Sequence, residues 1–346
     1  MAAPPDPLTV VIASPLEPEL VERIRDVDRE RLRIVHEPAL IPRALHAADH
    51  DGERPELDAA DLERWLSILR PATVLFDLDW YAPADLPTKA PDLRWVQVSR
   101  SGVGESLRRH GLDRSSIVFT NAAGVHAVPL TEFVVLGLLW LIKDVPRIAD
   151  EQAQHAWRSS VTRLLADTRV LLVGLGGLGG QVARTLAGLG VEVWGLRRSD
   201  TPPPDGVARS VRPAELRSAL GSVDALVVAC PHTAETHHMI GAEELAALPD
   251  GAFVVNIARG GVIDEAALVA ALADGHLGGA ALDVFEHEPL PPDSPLWDMP
   301  NVLVSPHRAS VVDAENTLIV DLFIDNLRRF LDDRPLRNVY ERDRGY

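Results

Sequence analysis

The chain has almost no cysteine, a shortage of basic charge and no long hydrophobic run, and each shortage excludes a class of protein. Cys230 is the only cysteine in 346 residues, so no intrachain disulfide can form, which is typical of a reducing cytoplasm. A formal net charge of −17 argues against general nucleic-acid binding, which needs a basic surface. The longest apolar run, residues 133–142, is much shorter than the ~20 residues of a membrane span. The first residues, "MAAPPDPLTVVIAS", lack a signal-peptide pattern, so we expect a cytoplasmic protein without nucleic-acid or membrane partners.

The length of the chain favours two domains, and the apolar pattern indicates where they lie. Strand-like and helix-like segments alternate up to "SIVFTN" (116–121), and a second alternation begins at Arg169. We therefore predict an α/β fold with a doubly wound Rossmann cofactor domain (124–308) and a smaller, flavodoxin-like substrate domain (1–123 and 309–346). A single helix of about seven turns, from Leu130 to near Trp157, is expected to connect them.

The stretch "VLLVGLGGLGG" indicates a dinucleotide site. Gly174, Gly176 and Gly179 have the G-x-G-x-x-G spacing, which permits a tight turn, close approach of a pyrophosphate and close packing of helix on strand. The spacing alone is weak evidence, but an apolar strand precedes it and a helical pattern follows. The pyrophosphate would lie at the helix N-terminus, where unpaired N–H groups favour anions.

Two arginines stand where an NAD enzyme places an acid. About 20 residues after the glycine motif, the strand "VEVWGL" is followed by Arg197 and Arg198. An acid there would bind the ribose 2′-hydroxyl and repel a 2′-phosphate, whereas guanidinium groups bind phosphate. NADP(H) is therefore the preferred cofactor and NAD(H) a possible one; a solvated pair of loop charges is the alternative.

Three successive strand ends in the second half provide an arginine, a carboxylate and an imidazole. Arg259 follows "AFVVNI", Glu288 follows "GAALDV" and His307 follows "VLVS". Ligands of open α/β sheets bind beyond the carboxyl ends of the strands. These side chains suit reduction of a 2-oxo acid: Arg259 would bind the carboxylate, His307 would protonate the forming alkoxide, and Glu288 would orient the imidazole.

At these residues the sequence resembles the D-isomer-specific 2-hydroxyacid dehydrogenase family. The resemblance rests on "GLGGLGG", "CPHTAETHHMI", "NIARGGVIDE", "LDVFEHEPLP" and "SPHRAS". The tail from "EHEPLPPDSPLW" through "ERDRGY" most resembles the glyoxylate/hydroxypyruvate reductase branch, which often uses NADPH. The resemblance implies an NAD(P)-dependent dehydrogenase with NADP preferred, whose catalytic residues are Arg259, Glu288 and His307. Within "EHEP" the second acid, Glu288, matches the catalytic acid of the family, so Glu286 is not the predicted one. Formate dehydrogenases of this fold have Gln at the position of Glu288, so the glutamate here argues against formate dehydrogenase activity.

The resemblance also implies cofactor and substrate residues. Asp283 would contact the nicotinamide carboxamide, and Ser101, Gly102 and Val103 of "SRSGVGES" would offer backbone N–H groups to the substrate carboxylate together with Arg259. The full set of predicted cofactor residues is Gly174, Gly176, Gly177, Leu178, Gly179, Arg197, Arg198, Cys230, Pro231, Thr236, Ile257, Ala258, Arg259, Asp283 and His307. Gly104, where many members have Asp, and His232, where an apolar residue is common, depart from the family pattern.

Several further expectations accompany this interpretation. The alternatives are a 3-phosphoglycerate or phosphite dehydrogenase, or a dinucleotide-sensing binding protein. No metal is expected, because Cys230, His232, His237 and His238 match no usual zinc spacing. The apolar helix at 130–142 suggests a homodimer. Trp80, Tyr81 and Trp157 are interpreted as packing residues, and the loop at 41–58 is a candidate lid.

Overall fold

The protein is described by a computed structural model that covers residues 7–46, 48–50, 52–198 and 201–342. Contacts between Cα atoms divide the chain into two compact units. The first unit comprises Met1–His126 and Val311–Tyr346, and the second comprises Ala127–Ser310. These boundaries lie close to the predicted ones after residues 123 and 308.

The described residues form twelve strands and eleven helices, in addition to short 3-10 turns. The strands are β1 (Leu8–Ile12), β2 (Leu32–Val35), β3 (Ala72–Phe76), β4 (Trp95–Gln97), β5 (Val118–Thr120), β6 (Arg169–Val173), β7 (Glu192–Leu196), β8 (Val207–Val211), β9 (Ala225–Val228), β10 (Ala252–Asn256), β11 (Leu277–Leu282) and β12 (Val302–Val304). The helices are α1 (Pro18–Arg25), α2 (Ala59–Leu69), α3 (Leu86–Lys89), α4 (Gly104–Arg109), α5 (Ala127–Ile142), α6 (Val145–Ala153), α7 (Gly177–Gly188), α8 (Leu216–Leu220), α9 (Ala242–Ala246), α10 (Glu265–Ala273) and α11 (Glu315–Leu331).

The first unit contains a five-stranded parallel sheet in the order β2-β1-β3-β4-β5. This is the flavodoxin-like order 2-1-3-4-5, as predicted. One face packs on α11, where Phe323 contacts Phe76 edge to face at 5.1 Å between ring centroids and stacks on Trp95 at 5.2 Å. The other face is covered by a cluster that includes the fully buried Trp65 of α2. Burial on both faces explains why these strands are almost continuously apolar.

The second unit contains a seven-stranded sheet in the order β12-β11-β10-β9-β6-β7-β8, with every pair parallel. Counted from β6, this is the doubly wound order 3-2-1-4-5-6 with one additional strand, which confirms the predicted Rossmann architecture. The order reverses between β6 and β9, and the strands β10, β11 and β12 are successive neighbours. Their carboxyl ends therefore lie side by side along one edge of the sheet.

The prediction of one long helix from Leu130 to Trp157 is wrong. Two helices, α5 and α6, replace it, and Asp144 between them has a left-handed backbone with φ 53°. Pro146 accounts for the break, because it has no N–H for the carbonyl of Ile142 and its ring would clash with that carbonyl in a continuous helix. The chain after α6 is irregular, and Trp157 is fully exposed, so it does not pack within this chain.

The packing role expected of Trp80 is confirmed. Its ring lies 6.5 Å from that of Trp65, and its indole N–H donates to the carbonyl of Leu40 at 3.1 Å. Tyr81 is half exposed and packs edge to face on Trp80. The described residues of the candidate lid at 41–58 have little regular structure beyond an antiparallel bridge between Arg43 and Glu53, and the expected movement of the lid stays a prediction.

Candidate active site

The glycine motif follows β6 and has the local geometry that each glycine was predicted to permit. Gly174 has a φ of 98°, and a Cβ there would lie 2.8 Å from the backbone of Cys230. A Cβ on Gly179 would lie 1.9 Å from the carbonyl oxygen of Gly174, so α7 can pack against the turn only without a side chain. These contacts explain the first and third glycines of the motif.

The middle of the motif is open. A Cβ on Gly176 or Gly177 would meet no other atom of the described residues within 4 Å. Gly177 is the first residue of α7, and the first N–H groups of a helix have no partner within the helix. Leu178, by contrast, packs against the core of the second unit. The turn thus has both the space and the donors that a dinucleotide pyrophosphate requires.

The predicted 2′-phosphate residues follow β7. The Arg197 guanidinium donates to the hydroxyl of Thr201, and Arg198 forms an ion pair with Glu235. Both partners of this pair are about two-thirds exposed. Sequence reasoning missed Glu235, although it lies within the quoted stretch "CPHTAETHHMI", because nothing local relates residues 37 positions apart.

The segment after β9 forms a compact turn. The hydroxyl of Thr236 donates to the carbonyl of Pro231 at 2.8 Å and accepts from the N–H of Thr233 at 2.8 Å. Cys230 is buried, and this burial raises the pKa of its thiol to about 11. His232, one of the departures from the family pattern, lies with its Nε2 3.2 Å from Nδ1 of His237.

Arg259 is presented by a turn at the end of β10. Ile257 and Ala258 are buried, whereas Arg259 is exposed. Asn256 stabilises the turn, because its Oδ1 accepts from the N–H of Ala258 at 3.0 Å and its Nδ2 donates to the carbonyl of Arg259 at 3.3 Å. The guanidinium donates to the carbonyl of Ala258 at 2.7 Å and pairs with no carboxylate among the described residues. It can therefore bind an external anion.

Gly260 holds this turn against the segment after β11. A Cβ on Gly260 would lie 1.9 Å from the carbonyl group of Phe285, so the two segments are in backbone contact. Three residues beyond Phe285 lies Glu288, whose Oε1 accepts from the N–H of Phe285 at 3.0 Å. Only glycine fits at position 260, because any side chain would push the Glu288 turn away from the Arg259 turn.

Glu288 and His307 are in direct contact. Oε2 of Glu288 lies 2.7 Å from Nδ1 of His307, and neither side chain is buried. His307 has a left-handed backbone with φ 51°, a conformation that is uncommon outside glycine and is enriched at functional sites. The Nε2 atom of His307 has no hydrogen-bond partner in the described part of the chain. One imidazole nitrogen is thereby held by a carboxylate while the other can face a substrate.

The other acid of "EHEP" has a different environment. Glu286 forms an ion pair with His238, and its N–H donates to Glu265 at 2.9 Å. Among the described residues, Glu286 forms no hydrogen bond or ion pair with His307. The assignment of Glu288 rather than Glu286 as the catalytic acid stays a prediction, and these contacts are consistent with it.

Asp283 follows β11 and is almost completely buried. Its Oδ1 accepts from the hydroxyl of Ser305 at 2.6 Å and from the N–H groups of Arg308 and Ala309 at 2.9 Å. Burial raises the pKa of this carboxyl group, and these hydrogen bonds oppose the rise. Because Oδ1 binds the segment around His307, Asp283 stabilises the backbone next to the imidazole, and its predicted carboxamide contact would use the other oxygen.

The predicted substrate loop belongs to the first unit. Ser101 is half buried, Gly102 is exposed, Val103 is buried, and Gly104 begins α4. The hydroxyl of Ser101 lies 2.9 Å from Nδ1 of His126. Sequence reasoning did not identify His126, because no local pattern distinguishes it from other loop histidines.

Two features are absent from the described residues. No group of three or more His, Cys, Asp or Glu side chains there is arranged to hold a metal ion. None of the helices in the described ranges is both long enough and apolar enough to cross a membrane.

Comparisons with known proteins agree with this geometry. Residues 135–309 match the family model described as D-isomer specific 2-hydroxyacid dehydrogenase, NAD binding domain. The chain is 38% identical over 281 residues to glyoxylate/hydroxypyruvate reductase A of Salmonella paratyphi C, with 78% of this chain and 87% of that protein covered. It is 36% identical over 254 residues to (S)-sulfolactate dehydrogenase of Chromohalobacter salexigens, with 71% and 80% covered.

A solved structure extends the similarity to almost the whole chain. It is the NADPH-dependent glyoxylate/hydroxypyruvate reductase of Sinorhizobium meliloti in complex with NADP and sulfate. The TM-score is 0.76 at 30% identity, and the alignment covers 98% of this chain and all of that one. The similarity therefore includes both units.

Proposed function

The chain belongs to the D-isomer-specific 2-hydroxyacid dehydrogenase family and is therefore an NAD(P)-dependent oxidoreductase, and we propose that it reduces a small 2-oxo acid to the D-2-hydroxy acid with NADPH. The observation that supports this most directly is the contact between Glu288 and His307, whose Nδ1 and Oε2 atoms are 2.7 Å apart. The pair stands at the carboxyl ends of β11 and β12, next to the strand that presents Arg259. Ligands of doubly wound sheets bind at this edge.

His307 acts as the proton donor in this proposal. Glu288 accepts the hydrogen of Nδ1, which leaves Nε2–H directed towards the substrate carbonyl oxygen. A bound nicotinamide cofactor would provide the hydride that C2 of the 2-oxo acid accepts. The proton from Nε2 completes the alcohol, and solvent then reprotonates the imidazole. Glu288 stabilises the charged imidazole by a charge-assisted hydrogen bond and keeps the ring in one orientation.

Arg259 binds the carboxylate of the substrate. Its guanidinium is exposed and pairs with no acid of the described residues, so its remaining N–H groups can contact both carboxylate oxygens. This contact would hold the 2-oxo group in one orientation relative to His307. The backbone N–H groups of Ser101, Gly102 and Val103 are the predicted second set of donors for the same carboxylate.

The cofactor assignment rests on the glycine turn and the two arginines. Gly176 and Gly177 leave room at the N-terminus of α7, where Leu178 and Gly179 follow with unpaired N–H groups. Arg197 and Arg198 follow β7, and Arg198 already binds a carboxylate, so its position suits an anion. The Sinorhizobium structure contains NADP, which supports the same preference here. The other predicted cofactor residues are Cys230, Pro231, Thr236, Ile257, Ala258 and Asp283.

The names of the relatives indicate two candidate classes of 2-oxo acid substrate. The reductase of Salmonella supports glyoxylate or hydroxypyruvate as substrate. The sulfolactate dehydrogenase of Chromohalobacter supports a second candidate, a 2-oxo acid with a sulfonate on C3. We favour glyoxylate or hydroxypyruvate, because the Salmonella and Sinorhizobium relatives are both named for these substrates. The proposal places the enzyme in the cytoplasm as a homodimer.

A substrate panel tests the proposal. Glyoxylate, hydroxypyruvate, 3-sulfopyruvate and 3-phosphohydroxypyruvate would be assayed with NADPH and NADH, and phosphite with NADP⁺ and NAD⁺. We expect the highest kcat/KM for glyoxylate or hydroxypyruvate with NADPH, and loss of turnover in His307→Asn. Oxidation of phosphite would show that the enzyme is a phosphite dehydrogenase instead. A marked preference for 3-phosphohydroxypyruvate would favour a 3-phosphoglycerate dehydrogenase. Binding of NADPH without turnover of any acid would favour a dinucleotide sensor.

A further inference from the structure

The first unit contains a chain of hydrogen bonds that begins in the predicted substrate loop and ends in a buried carboxylate. The hydroxyl of Ser101 lies 2.9 Å from Nδ1 of His126, and Nε2 of His126 lies 3.0 Å from Oε1 of Glu315. The side chains of His126 and Glu315 are 14% and 8% exposed, so the chain is shielded from solvent beyond Ser101. We call these three residues the relay.

The chemistry of the groups fixes the direction of each hydrogen bond. A carboxylate accepts, so Nε2 of His126 has the hydrogen and donates it to Glu315. In a neutral imidazole the other nitrogen then has a lone pair, so Nδ1 accepts from the hydroxyl of Ser101. Glu315 thereby selects the tautomer of His126. Its Nδ1, at 2.9 Å, then competes for the single hydroxyl hydrogen of Ser101 with the carbonyl of Ala122 at 3.4 Å, and the shorter contact favours His126.

The relay joins segments that are distant in sequence. Ser101 lies between β4 and α4, His126 is the last residue before α5, and Glu315 is the first residue of α11. The chain passes to the second unit directly after His126 and returns at Val311, four residues before Glu315. The loop is therefore connected by two hydrogen bonds to both segments at which the chain changes units.

Stability alone does not account for this arrangement. Oε2 of Glu315 is buried without a hydrogen-bond partner in the described structure, and so are both ring nitrogens of His50. Nε2 of His50 lies 3.9 Å from Oε1 of Glu315. Buried polar atoms without partners are costly, and they are retained where a specific arrangement is needed. Replacing buried charged groups by a well-packed apolar cluster is often neutral or stabilising, so stability is a weak reason for this arrangement.

We propose that His126 and Glu315 are positioning residues that hold Ser101, and with it the N–H groups of Gly102 and Val103, in the conformation that binds the carboxylate of the 2-oxo acid. This inference rests on the proposed function. The relay belongs to the first unit, whereas the glycine motif and His307 belong to the second, so we expect it to contribute to substrate binding rather than to the chemical step. Its loss should raise KM for the acid with little effect on kcat.

Two amide variants of His126, each of which can replace one ring nitrogen, separate the two hydrogen bonds. The side-chain amide of Asn can replace Nδ1, so His126→Asn retains a partner for Ser101 and loses the bond to Glu315. The amide of Gln can replace Nε2, so His126→Gln retains the bond to Glu315 and loses the one to Ser101. We expect KM for the acid to rise about 3- to 10-fold in His126→Gln and to change less than 3-fold in His126→Asn, with kcat within about 2-fold of the parent in both.

Variants of Ser101 and a control complete the test. Ser101→Ala should raise KM as His126→Gln does, and Ser101→Thr, which keeps the hydroxyl, should restore it. Thr120→Val is the control: Thr120 is fully buried in the same unit, where its hydroxyl bonds Gln97 at 2.9 Å and Trp95 at 2.8 Å. It should lower Tm without changing KM. If the variants of Ser101 and His126 lower Tm but leave KM unchanged, the relay is only structural and the proposal is wrong.

A readout without turnover separates this proposal from the proposed function. Long-range ¹H–¹⁵N spectra of the imidazole groups report the tautomer, with His126 assigned by comparison with His126→Asn. We expect a protonated Nε2 and an unprotonated Nδ1 whose shift changes in Ser101→Ala. Protonation on Nδ1 would contradict the relay even in an active enzyme. If the tautomer is as expected but the protein reduces no 2-oxo acid, the proposed function is wrong. The proposal that the loop binds the substrate carboxylate would then be wrong as well.

Discussion

Oε2 of Glu288 lies 2.7 Å from Nδ1 of His307, while Oε1 of the same carboxylate accepts from the N–H of Phe285 at 3.0 Å. Both oxygens are therefore used, one to hold the imidazole and the other to hold the turn on which the glutamate lies. A carboxylate bound at both oxygens has little freedom to rotate. The pair is consequently preorganised before any substrate binds.

Neutralising this carboxylate should slow the chemical step. Glu288→Gln keeps the shape of the side chain and loses the charge-assisted bond, which is worth ~1.5–3 kcal/mol, so we expect kcat/KM to fall by about 10- to 100-fold. Glu286→Gln is the matched control, because Glu286 pairs with His238. Steady-state kinetics of both variants measure the difference, and equal losses would show that position 288 has no special role.

Arg259→Lys tests the carboxylate contact. Lysine keeps the charge but lacks the planar pair of donors, so KM for the acid should rise and kcat should fall, by ~10²-fold or more in kcat/KM. Arg217→Lys, which alters an exposed ion-pair network with Glu243 and Glu244, serves as the control. Parent-like kinetics for Arg259→Lys would remove this residue from the site.

The sequence predicted the sheets and the strand ends well because both depend on local patterns. Apolar runs identify the buried parallel strands, and the residue after each run is at the edge where ligands bind. The continuous helix from Leu130 was wrong because apolar periodicity continues past Ile142, while the backbone of Asp144 and the proline that follows end the helix. A periodic pattern does not report the left-handed residue, but Pro146 is visible in the sequence and by itself indicates the break.

The contacts that escaped sequence reasoning are those between distant residues. His126 and Glu315 are separated by 189 positions, and Arg198 and Glu235 by 37. Each is an ordinary polar residue in its own segment, and only the folded sheet brings the partners together. Asn256 was missed for a different reason: its side chain binds the turn that presents Arg259, but an asparagine at a strand end has many possible roles.

The exposed face of α5 should form a dimer contact. Val128, Leu136 and Leu139 lie within one side of the helix and are 54%, 53% and 36% exposed. Leu136→Glu would add a second carboxylate to this face, which already includes the exposed Glu132. Light scattering should therefore show a dimer for the parent and a monomer for the variant at micromolar concentration. Leu189→Glu, at another exposed leucine of the second unit, should remain dimeric. A monomeric parent would rule out this surface as a stable interface.

The Cys230 thiol should react slowly in the folded protein. Burial raises its pKa to about 11, whereas an unfolded cysteine ionises near 8.5. The reactive thiolate is therefore ~10²-fold scarcer at pH 8 in the folded chain, and its fraction should rise about tenfold per pH unit up to pH 10. Iodoacetamide labelling followed by mass spectrometry, with and without urea, measures both effects. Equal rates in the two conditions would show that the thiol is not shielded.

The cofactor preference depends on a competition at Arg198. In the structure this guanidinium forms an ion pair with Glu235. The negative carboxylate would repel a 2′-phosphate and compete with it for the N–H groups of Arg198. An exposed ion pair is worth at most about 1 kcal/mol, so the phosphate, with nearly two negative charges, should displace the carboxylate. Glu235→Gln removes the competitor and should lower KM for NADPH by about 3-fold while leaving KM for NADH unchanged.

Replacing the arginines should have the opposite effect. Each charge-assisted hydrogen bond to the 2′-phosphate contributes ~1.5–3 kcal/mol, so kcat/KM of the parent should favour NADPH over NADH by roughly 10- to 100-fold. The difference should lie mainly in KM, because the phosphate is far from the reacting carbon and binds the ground and transition states alike. Arg197→Asp should reverse the preference, and added salt should weaken binding of NADPH more than that of NADH. If the parent has equal KM values for the two cofactors, and neither Glu235→Gln nor Arg197→Asp alters their ratio, the arginines are solvated loop charges and the ribose is recognised by other residues.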